Sequence, residues 1–164
     1  MQNIKRLLKR RSLEVLNPLD KIKQMLDIII SNLLPTSATG SDIMVKDLIT
    51  VEPSMNIDEL VNGYFLRYGY GGFPVVESGR YLGLITLKEI KDVPKEYFNK
   101  THVSEVFSKH KKEWEISPEE DVLRALEKMI KDDTGRLVII EGDRIVGMIT
   151  RNGIARYVQI KESL

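Results

Sequence analysis

The sequence has no cysteine among its 164 residues, so it can form neither a disulfide nor a site that depends on a thiolate. It also lacks any apolar run close to the roughly 20 residues that a membrane-spanning helix needs, and no signal-peptide pattern opens it. An excess of one charge is missing too, because 25 Lys and Arg face 24 Asp and Glu. Without an overall positive field we expect no nucleic acid partner. These absences predict a soluble cytoplasmic protein.

The residues that are present are those of an ordinary globular chain, with 42% hydrophobic and 30% charged residues. A chain of this length forms one compact domain or a close pair of half-domains. The charge is uneven along the chain. Residues 1–41 hold seven Lys and Arg and three Asp and Glu, a net charge of +4, whereas the remainder has a net charge of −3. The sequence therefore has a basic head and a mildly acidic body.

The basic head divides at Pro18 into two amphipathic segments with the spacing of helices. Pro35 ends the second segment, and residues 36–41 have the composition of a flexible linker. Three interpretations stay open: a helical hairpin that caps the body or its dimer, an attachment to a further domain, and binding to a membrane surface through residues 5–11.

The body contains an internal repeat, which organises the rest of the interpretation. Residues 73–86, FPVVESGRYLGLIT, align with residues 137–150, LVIIEGDRIVGMIT, at a constant offset of 64. In each copy the pattern predicts a strand, a helix, two strands joined by a tight hairpin, and a second helix. One such unit cannot easily bury both faces of its small sheet, so the two copies are predicted to stack.

The first helix of each copy has a predicted start and a predicted buried face. Ser117-Pro118-Glu119-Glu120 has the pattern of an N-cap serine, a proline at the first helical position and a capping-box acid. Asn56 and Glu59 provide the equivalent start in the first copy. The predicted apolar faces are Ile57, Leu60, Val61 and Tyr64 in the first copy, and Val122, Ala125, Leu126 and Met129 in the second.

Three stretches, DIMVKDLITVEPSMNIDEL, FPVVESGRYLGLITLKEI and LVIIEGDRIVGMITRNGI, resemble a tandem CBS-domain pair, also called a Bateman module. The resemblance covers about residues 42–160. It implies an α/β (α+β) fold of two stacked β-α-β-β-α repeats with pseudo-twofold symmetry, preceded here by an N-terminal helical extension. The expected organisation is a basic helical extension and linker over residues 1–41, a first repeat over 42–100 and a second over 101–164.

A narrower resemblance concerns the stretch between the repeats and the end of the chain. DVPKEYFNKTHVSEVF and GRLVIIEGDRIVGMITRNGIARYVQIK are similar to cytoplasmic CBS pairs of site-2-protease-like membrane metallopeptidases. No His-Glu-x-x-His motif occurs, and His102 and His110 lie outside any metal-binding helix pattern. The resemblance implies a homodimer formed through the repeats, and a partner such as a membrane metallopeptidase, channel or transporter, at the cytoplasmic face of a membrane.

The family resemblance also implies a ligand site, built on the turn that runs from a Gly through two apolar residues to a Thr and an acid. Carried over, Thr86 and Thr150 would hold a phosphate, and Glu89 would accept hydrogen bonds from ribose hydroxyls. The implied regulatory ligands are AMP, ADP, ATP or S-adenosylmethionine. The remaining candidates are Lys88 and Arg151, which would contact an anion, and Thr50, Val51 and Ile116, which would lie beside the adenine base of the ligand.

Six of these eight candidates also have a structural interpretation. Thr86 and Glu89 form a capping box that needs no ligand, and Val51 and Ile116 suit a core. Lys88 and Arg151 suit a solvated surface. In the second copy Gly153 stands where the acid would be, so that turn cannot contact a ribose diol.

Nothing in the sequence has the pattern of a nucleophile with its base, a metal cluster or a phosphate-binding loop, so we expect no enzymatic activity. The resemblance implies a regulatory module in which a ligand between the repeats shifts their relative orientation. The alternative is a ligand-free dimerisation scaffold whose basic helices dock to a partner or a membrane surface.

Overall fold

The fold is built around two β-hairpins, one from each copy of the repeat. The computed structural model describes Asp20 and residues 38–164, so the predictions for the helical extension lie largely outside the described residues. In chain order the elements are α1 (Gly40–Ile43), α2 (Ile57–Leu60, continued by a π-helical segment Val61–Phe65 and by Leu66–Tyr68), β1 (Gly72–Glu77), β2 (Arg80–Thr86), α3 (Leu87–Lys91), α4 (Val103–Val106), β3 (Ser108–Lys109), α5 (Val122–Lys131), β4 (Arg136–Glu141), β5 (Arg144–Thr150) and α6 (Arg151–Ser163).

Both hairpins close with the two-residue loops that the sequence predicts. In the first, Ser78 and Gly79 both have positive φ angles, 49° and 79°, as a type I′ turn requires. In the second only Gly142 does, with a φ of 66°. Strands β1 and β2 pair antiparallel and β3 adds to the other edge of β2, while β4 pairs with β5.

The strand that was predicted to begin each copy is reduced to a single paired residue. Val51 pairs in parallel with Val75, and Glu115 pairs in parallel with Val138. The Val51 amide donates to Pro74 O at 2.9 Å and its carbonyl accepts from the Val76 amide at 2.9 Å. The predicted order of strand, helix, strand, strand and helix is therefore present, with a very short first strand.

The predicted helix faces are confirmed. Ile57 and Leu60 are fully buried, and Val61 and Tyr64 pack against the same core. In α5 all four predicted residues are buried, namely Val122, Ala125, Leu126 and Met129. The amphipathic pattern therefore located the buried face of each helix correctly.

One helix start was predicted wrongly. The α5 helix begins at Val122, and its N-cap is Asp121, whose carboxylate accepts from the Leu123 amide at 2.6 Å. Ser117 instead begins a turn, in which its carbonyl accepts from the Glu120 amide at 3.1 Å. The carbonyls of Pro118 and Glu120 accept hydrogen bonds from elsewhere in the chain, which keeps these residues out of the helix.

The donors to those carbonyls come from residues that were predicted to be a flexible linker. The Gly40 amide donates to Glu120 O at 2.9 Å, and the Ser41 amide donates to Pro118 O at 2.8 Å. Gly40 is buried, and a Cβ there would meet Ile149 Cδ1 at 3.1 Å. For residues 38–41 the linker prediction is wrong, because a close backbone approach fixes them to the fold.

The chain divides into two compact units that do not coincide with the repeats. One holds the described residues up to Met44 with Ile116–Leu137 and Ile149–Leu164, and the other holds Val45–Glu115 with Val138–Met148. Within the second unit, the outer part of the β4–β5 hairpin packs on the first copy, where Tyr81 and Leu84 share a core cluster with Val138 and Met148. The first copy therefore completes its packing with residues of the second.

Candidate functional site

The Thr86 turn, which we define as residues 86–89, joins β2 to α3. Thr86 caps the helix, since its hydroxyl oxygen accepts from the Lys88 amide at 3.2 Å. The Glu89 carboxylate folds back, and its Oε2 accepts from the Thr86 amide at 2.8 Å and from the Thr86 hydroxyl at 2.5 Å. The Leu87 amide donates to Gly71 O at 3.2 Å. The capping box predicted for this turn is therefore formed in full.

The other oxygen of Glu89 is held by a residue from outside the turn. Ser108, on β3, donates its hydroxyl to Glu89 Oε1 at 2.6 Å. Ser108 is brought there because β3 pairs with β2, with Leu84 opposite Ser108 and Gly83 opposite Lys109. A Cβ on Gly83 would lie only 2.1 Å from Ser108 O, so the two strands can approach this closely only with glycine at position 83. Gly83 and Ser108 thus position the Glu89 carboxylate.

These contacts decide the charge of Glu89. Partial burial raises the pKa of its carboxyl group, but the hydrogen bonds from Ser108 and Thr86 together lower it by more. The net pKa lies below the ordinary value, because each of these donors favours the charged form. Glu89 is therefore an ionised, half-buried carboxylate at neutral pH.

The Thr150 turn, residues 150–153, joins β5 to α6 in the second copy. Thr150 caps α6 by accepting from the Gly153 amide at 2.9 Å. A Cβ on Gly153 would lie 3.0 Å from Thr150 Oγ1, so a side chain in place of the missing acid would require Thr150 to shift slightly. The Thr150 turn is a helix cap without a carboxylate.

Arg151, predicted either to favour an anion or to be solvated, is fixed to its own unit. Its amide donates to Gly135 O at 2.9 Å, and its guanidinium Nη2 donates to Thr134 O at 3.2 Å. The amide contact repeats that between Leu87 and Gly71, 64 residues earlier. The side-chain contact makes Arg151 a structural link in addition to any role towards an anion.

The residues expected beside the base differ in their exposure. Val51 is 1% exposed and Ile116 is 5% exposed, so both side chains belong to the core. Thr50 and Lys88 are exposed. The structure brings the first-copy candidates, Thr50, Val51, Thr86, Lys88 and Glu89, into one unit, and it places Ile116, Thr150 and Arg151 in the other.

Sequence reasoning missed two features of the segment that follows α4. Ser108 was not singled out, because its role depends on β3 pairing with β2 and no periodicity indicates a two-residue strand. The second feature is a polar cluster in which His110 Nε2 lies 2.8 Å from Glu115 Oε1, and the His110 ring packs edge-on against Tyr81 at a centroid distance of 5.0 Å.

Tyr81 is the buried member of this cluster. Burial raises the pKa of its hydroxyl well above the ordinary value, and the Glu115 carboxylate adds to the rise. Neither the Tyr81 hydroxyl nor His110 Nδ1 has a hydrogen-bond partner among the described residues. Tyr81 therefore stays neutral at physiological pH.

Two features are absent from the part of the chain that the structure describes. Over residues 38–164, no three or more His, Cys, Asp or Glu side chains cluster in a way that could hold a metal ion. Within the same residues, no helix has the length and apolar character needed to cross a bilayer.

Comparison with protein families gives a match over both copies of the repeat. The family model described as "CBS domain" matches residues 41–96 and again residues 103–160. Among solved structures, the CBS domain pair of protein MJ0100, in complex with 5-methylthioadenosine and S-adenosyl-L-methionine, superposes with a TM-score of 0.61 at 22% identity. That alignment covers 73% of this chain and 98% of the other. The mixed helix-and-strand class predicted from the sequence is confirmed.

Curated relatives include two zinc metalloproteases. Zinc metalloprotease MJ0392 of Methanocaldococcus jannaschii is 30% identical over 126 residues, which are 75% of this chain and 33% of the relative. The putative zinc metalloprotease Rip3 of Mycobacterium tuberculosis is 23% identical over 134 residues, 77% of this chain and 34% of the relative. The chain thus spans about a third of the length of each. The predicted similarity to the CBS pairs of such proteases is confirmed.

Proposed function

This chain belongs to the CBS-domain family, and from that premise we propose that it is a regulatory module that binds an adenosine-type ligand through the Thr86 turn. The candidate ligands are AMP, ADP, ATP and S-adenosylmethionine. Binding of the ligand would change the state of an attached domain or of a separate partner, such as a membrane zinc metalloprotease. The module would lie on the cytoplasmic side of the membrane.

The observation that carries this proposal is the half-buried carboxylate of Glu89 beside Thr86, held by hydrogen bonds that favour its ionised form. An ionised carboxylate only accepts hydrogen bonds, and the two hydroxyls of a ribose can both donate. Hydrogen bonds to a charged acceptor are also stronger than neutral ones. The Thr86 turn therefore has the chemistry to select a diol, whereas the Thr150 turn does not.

The relatives support the rest of the proposal. A structurally similar CBS pair carries adenosine derivatives, and similar segments occur within zinc metalloproteases about three times as long as the matched part. We assign no catalysis to this chain, since protease activity would reside in the rest of such a protein. Its mechanism is a population shift, in which a ligand favours the conformation that it binds more tightly.

A ligand screen by thermal unfolding tests the proposal. The protein is heated alone and with each of the four candidate ligands. A ligand at 100 times its dissociation constant adds about 2.7 kcal/mol to the free energy of unfolding. We expect at least one ligand to raise the midpoint of the wild-type protein.

The matched variants are Glu89→Ala and Glu96→Ala, each compared with its own ligand-free midpoint. Glu96 is an exposed glutamate in the 3₁₀ turn Lys95–Tyr97, so its removal should leave the response intact. Glu89→Ala should abolish it. An unchanged response of Glu89→Ala would contradict the assignment of the site, and no response from any ligand would contradict ligand binding.

A second function is favoured by a specific observation. Both oxygens of Glu89 and the hydroxyl oxygen of Thr150 already have partners within the protein. Such turns are complete as helix caps, which suits a ligand-free dimerisation scaffold. Sedimentation of the full chain distinguishes the two functions, because a scaffold should form the same dimer with and without each ligand and show no thermal shift.

A further inference from the structure

The hydrogen bond between Ser108 and Glu89 joins two segments that are 19 residues apart in sequence. It is the contact by which β3 reaches the Thr86 turn. Thr86 donates two hydrogen bonds to Glu89 Oε2, one from its amide and one from its hydroxyl. Ser108 donates one hydrogen bond to Oε1.

The number of acceptor positions on the Glu89 carboxylate limits how many hydrogen bonds a ligand can donate to it. Two carboxylate oxygens provide about four lone-pair positions. The two bonds from Thr86 and the one from Ser108 fill three of them, and the backbone amide of Glu89 contributes a further hydrogen bond. A ribose diol has two hydroxyls to donate and would find at most one position vacant. The diol can be fully bound only after at least one internal donor leaves.

Ser108 is the donor that can leave at the smallest cost to the turn. Losing the bonds from Thr86 would open the Glu89 half of the capping box, and the Thr86 hydroxyl is also held in place because it caps α3, whereas Ser108 sits on a two-residue strand at the edge of the sheet. We infer that Ser108 is an internal competitor whose hydroxyl occupies the position on Glu89 that one ligand hydroxyl takes. This inference rests on the proposed function and adds to it a residue that sets affinity.

The competition also couples the site to the rest of the unit. Beyond Ser108 the chain continues through His110, which contacts Tyr81, to Trp114, which packs on the cluster of Tyr81, Leu84, Val138 and Met148. A ligand that displaces Ser108 therefore loosens the start of a segment that ends in this shared core.

The experiment is isothermal titration of AMP, ATP and S-adenosylmethionine into the wild-type protein, Ser108→Ala and Ser104→Ala. Ser104, an exposed serine on α4, has no hydrogen bond to Glu89 and serves as the matched control. A hydrogen bond to a charged group is typically worth a tenfold change or more in an equilibrium constant. We expect Ser108→Ala to bind a diol ligand about tenfold more tightly and Ser104→Ala to bind as the wild type does.

A ligand without the diol supplies the internal control. The affinity for 2′,3′-dideoxy-ATP should be the same in the wild-type protein and in Ser108→Ala, because this ligand does not compete for Glu89. If Ser108→Ala does not fold, Ser108→Cys keeps the size of the side chain with a weaker donor and should show a smaller gain.

The outcomes separate the inference from the function on which it rests. Equal binding of ATP by the wild-type protein and Ser108→Ala overturns the competition and leaves the ligand site in place. An equal gain for ATP and its dideoxy form also overturns it, because the diol is then irrelevant. No binding of any of the ligands to any of the proteins overturns the proposed function together with the inference.

Discussion

The two turns that follow β2 and β5 begin alike and end differently. In both, a threonine caps a helix and the first helical amide donates to a glycine carbonyl 16 residues earlier, Gly71 or Gly135. The Thr86 turn then adds a charged carboxylate, which a third segment holds through Ser108. The Thr150 turn has only the amide of Gly153 at that position.

This difference separates the residue that both turns need for folding, the threonine, from the residue that only one turn needs, the acid. The threonine is needed in both copies because each helix must satisfy its first amides. The acid is needed only where something else depends on it. In the first copy it anchors β3, and a ligand could compete for that anchor. In the second copy neither use exists, and a glycine is sufficient.

The largest expected effect comes from separating the Thr86 turn from β3. Gly83→Ala places a methyl group 2.1 Å from Ser108 O, so the strands must move apart. We expect the free energy of unfolding to fall by about 3 kcal/mol, the upper part of the range for overpacking. Urea unfolding of the wild-type protein and of Gly83→Ala measures this loss of stability.

The control for this change is Gly63→Ala, in the π-helical segment of α2. A Cβ there meets nothing within 4 Å, so the variant should be at least as stable as the wild type. If Gly83→Ala matched Gly63→Ala in stability, the close approach of β3 to β2 would be wrong.

A smaller effect compares the two caps directly. Thr150→Ala removes one cap and should cost about 1 kcal/mol. Thr86→Ala also removes a hydrogen bond to a charged carboxylate, so it should cost about 2 kcal/mol. Chemical unfolding of both variants measures the difference, and Thr86→Ser and Thr150→Ser should restore stability. Equal losses would mean that the Glu89 contact adds nothing to the first cap.

The smallest effect is a dependence on pH that only the Thr86 turn can have. Because the pKa of Glu89 is lowered in the folded protein, its contribution to stability is present above the unfolded pKa and is lost as the pH falls through the folded pKa. Glu89→Gln lacks this contribution. Between pH 7 and about pH 3, the wild-type protein should therefore lose slightly more stability than Glu89→Gln does. Parallel pH profiles of unfolding for the two proteins would contradict the ionised state of Glu89.

Much of the fold could be predicted because local patterns determine it. The hairpin loops depend on residues that accept positive φ, as at Gly79 and Gly142, and the helix faces depend on apolar spacing. The capping box of Thr86 and Glu89 depends on a spacing of three residues. Each of these features involves residues close together in sequence.

Most of the features that were missed depend on contacts between distant residues. The α5 helix begins at Val122 and not at the predicted Pro118, because the amides of Gly40 and Ser41 donate hydrogen bonds to the residues before Val122. Ser108 gained its role because β3 adds to the edge of β2, and Arg151 because the chain before β4 returns to it. No local pattern indicates which distant segment will provide such a partner.

The core cluster of Tyr81, Leu84, Val138 and Met148 has a consequence for how such a pair is inherited. Once two duplicated copies have come to share buried side chains, deleting one leaves the other with an uncovered apolar face. We therefore expect the two repeats to be kept or lost together when a larger protein that contains them changes.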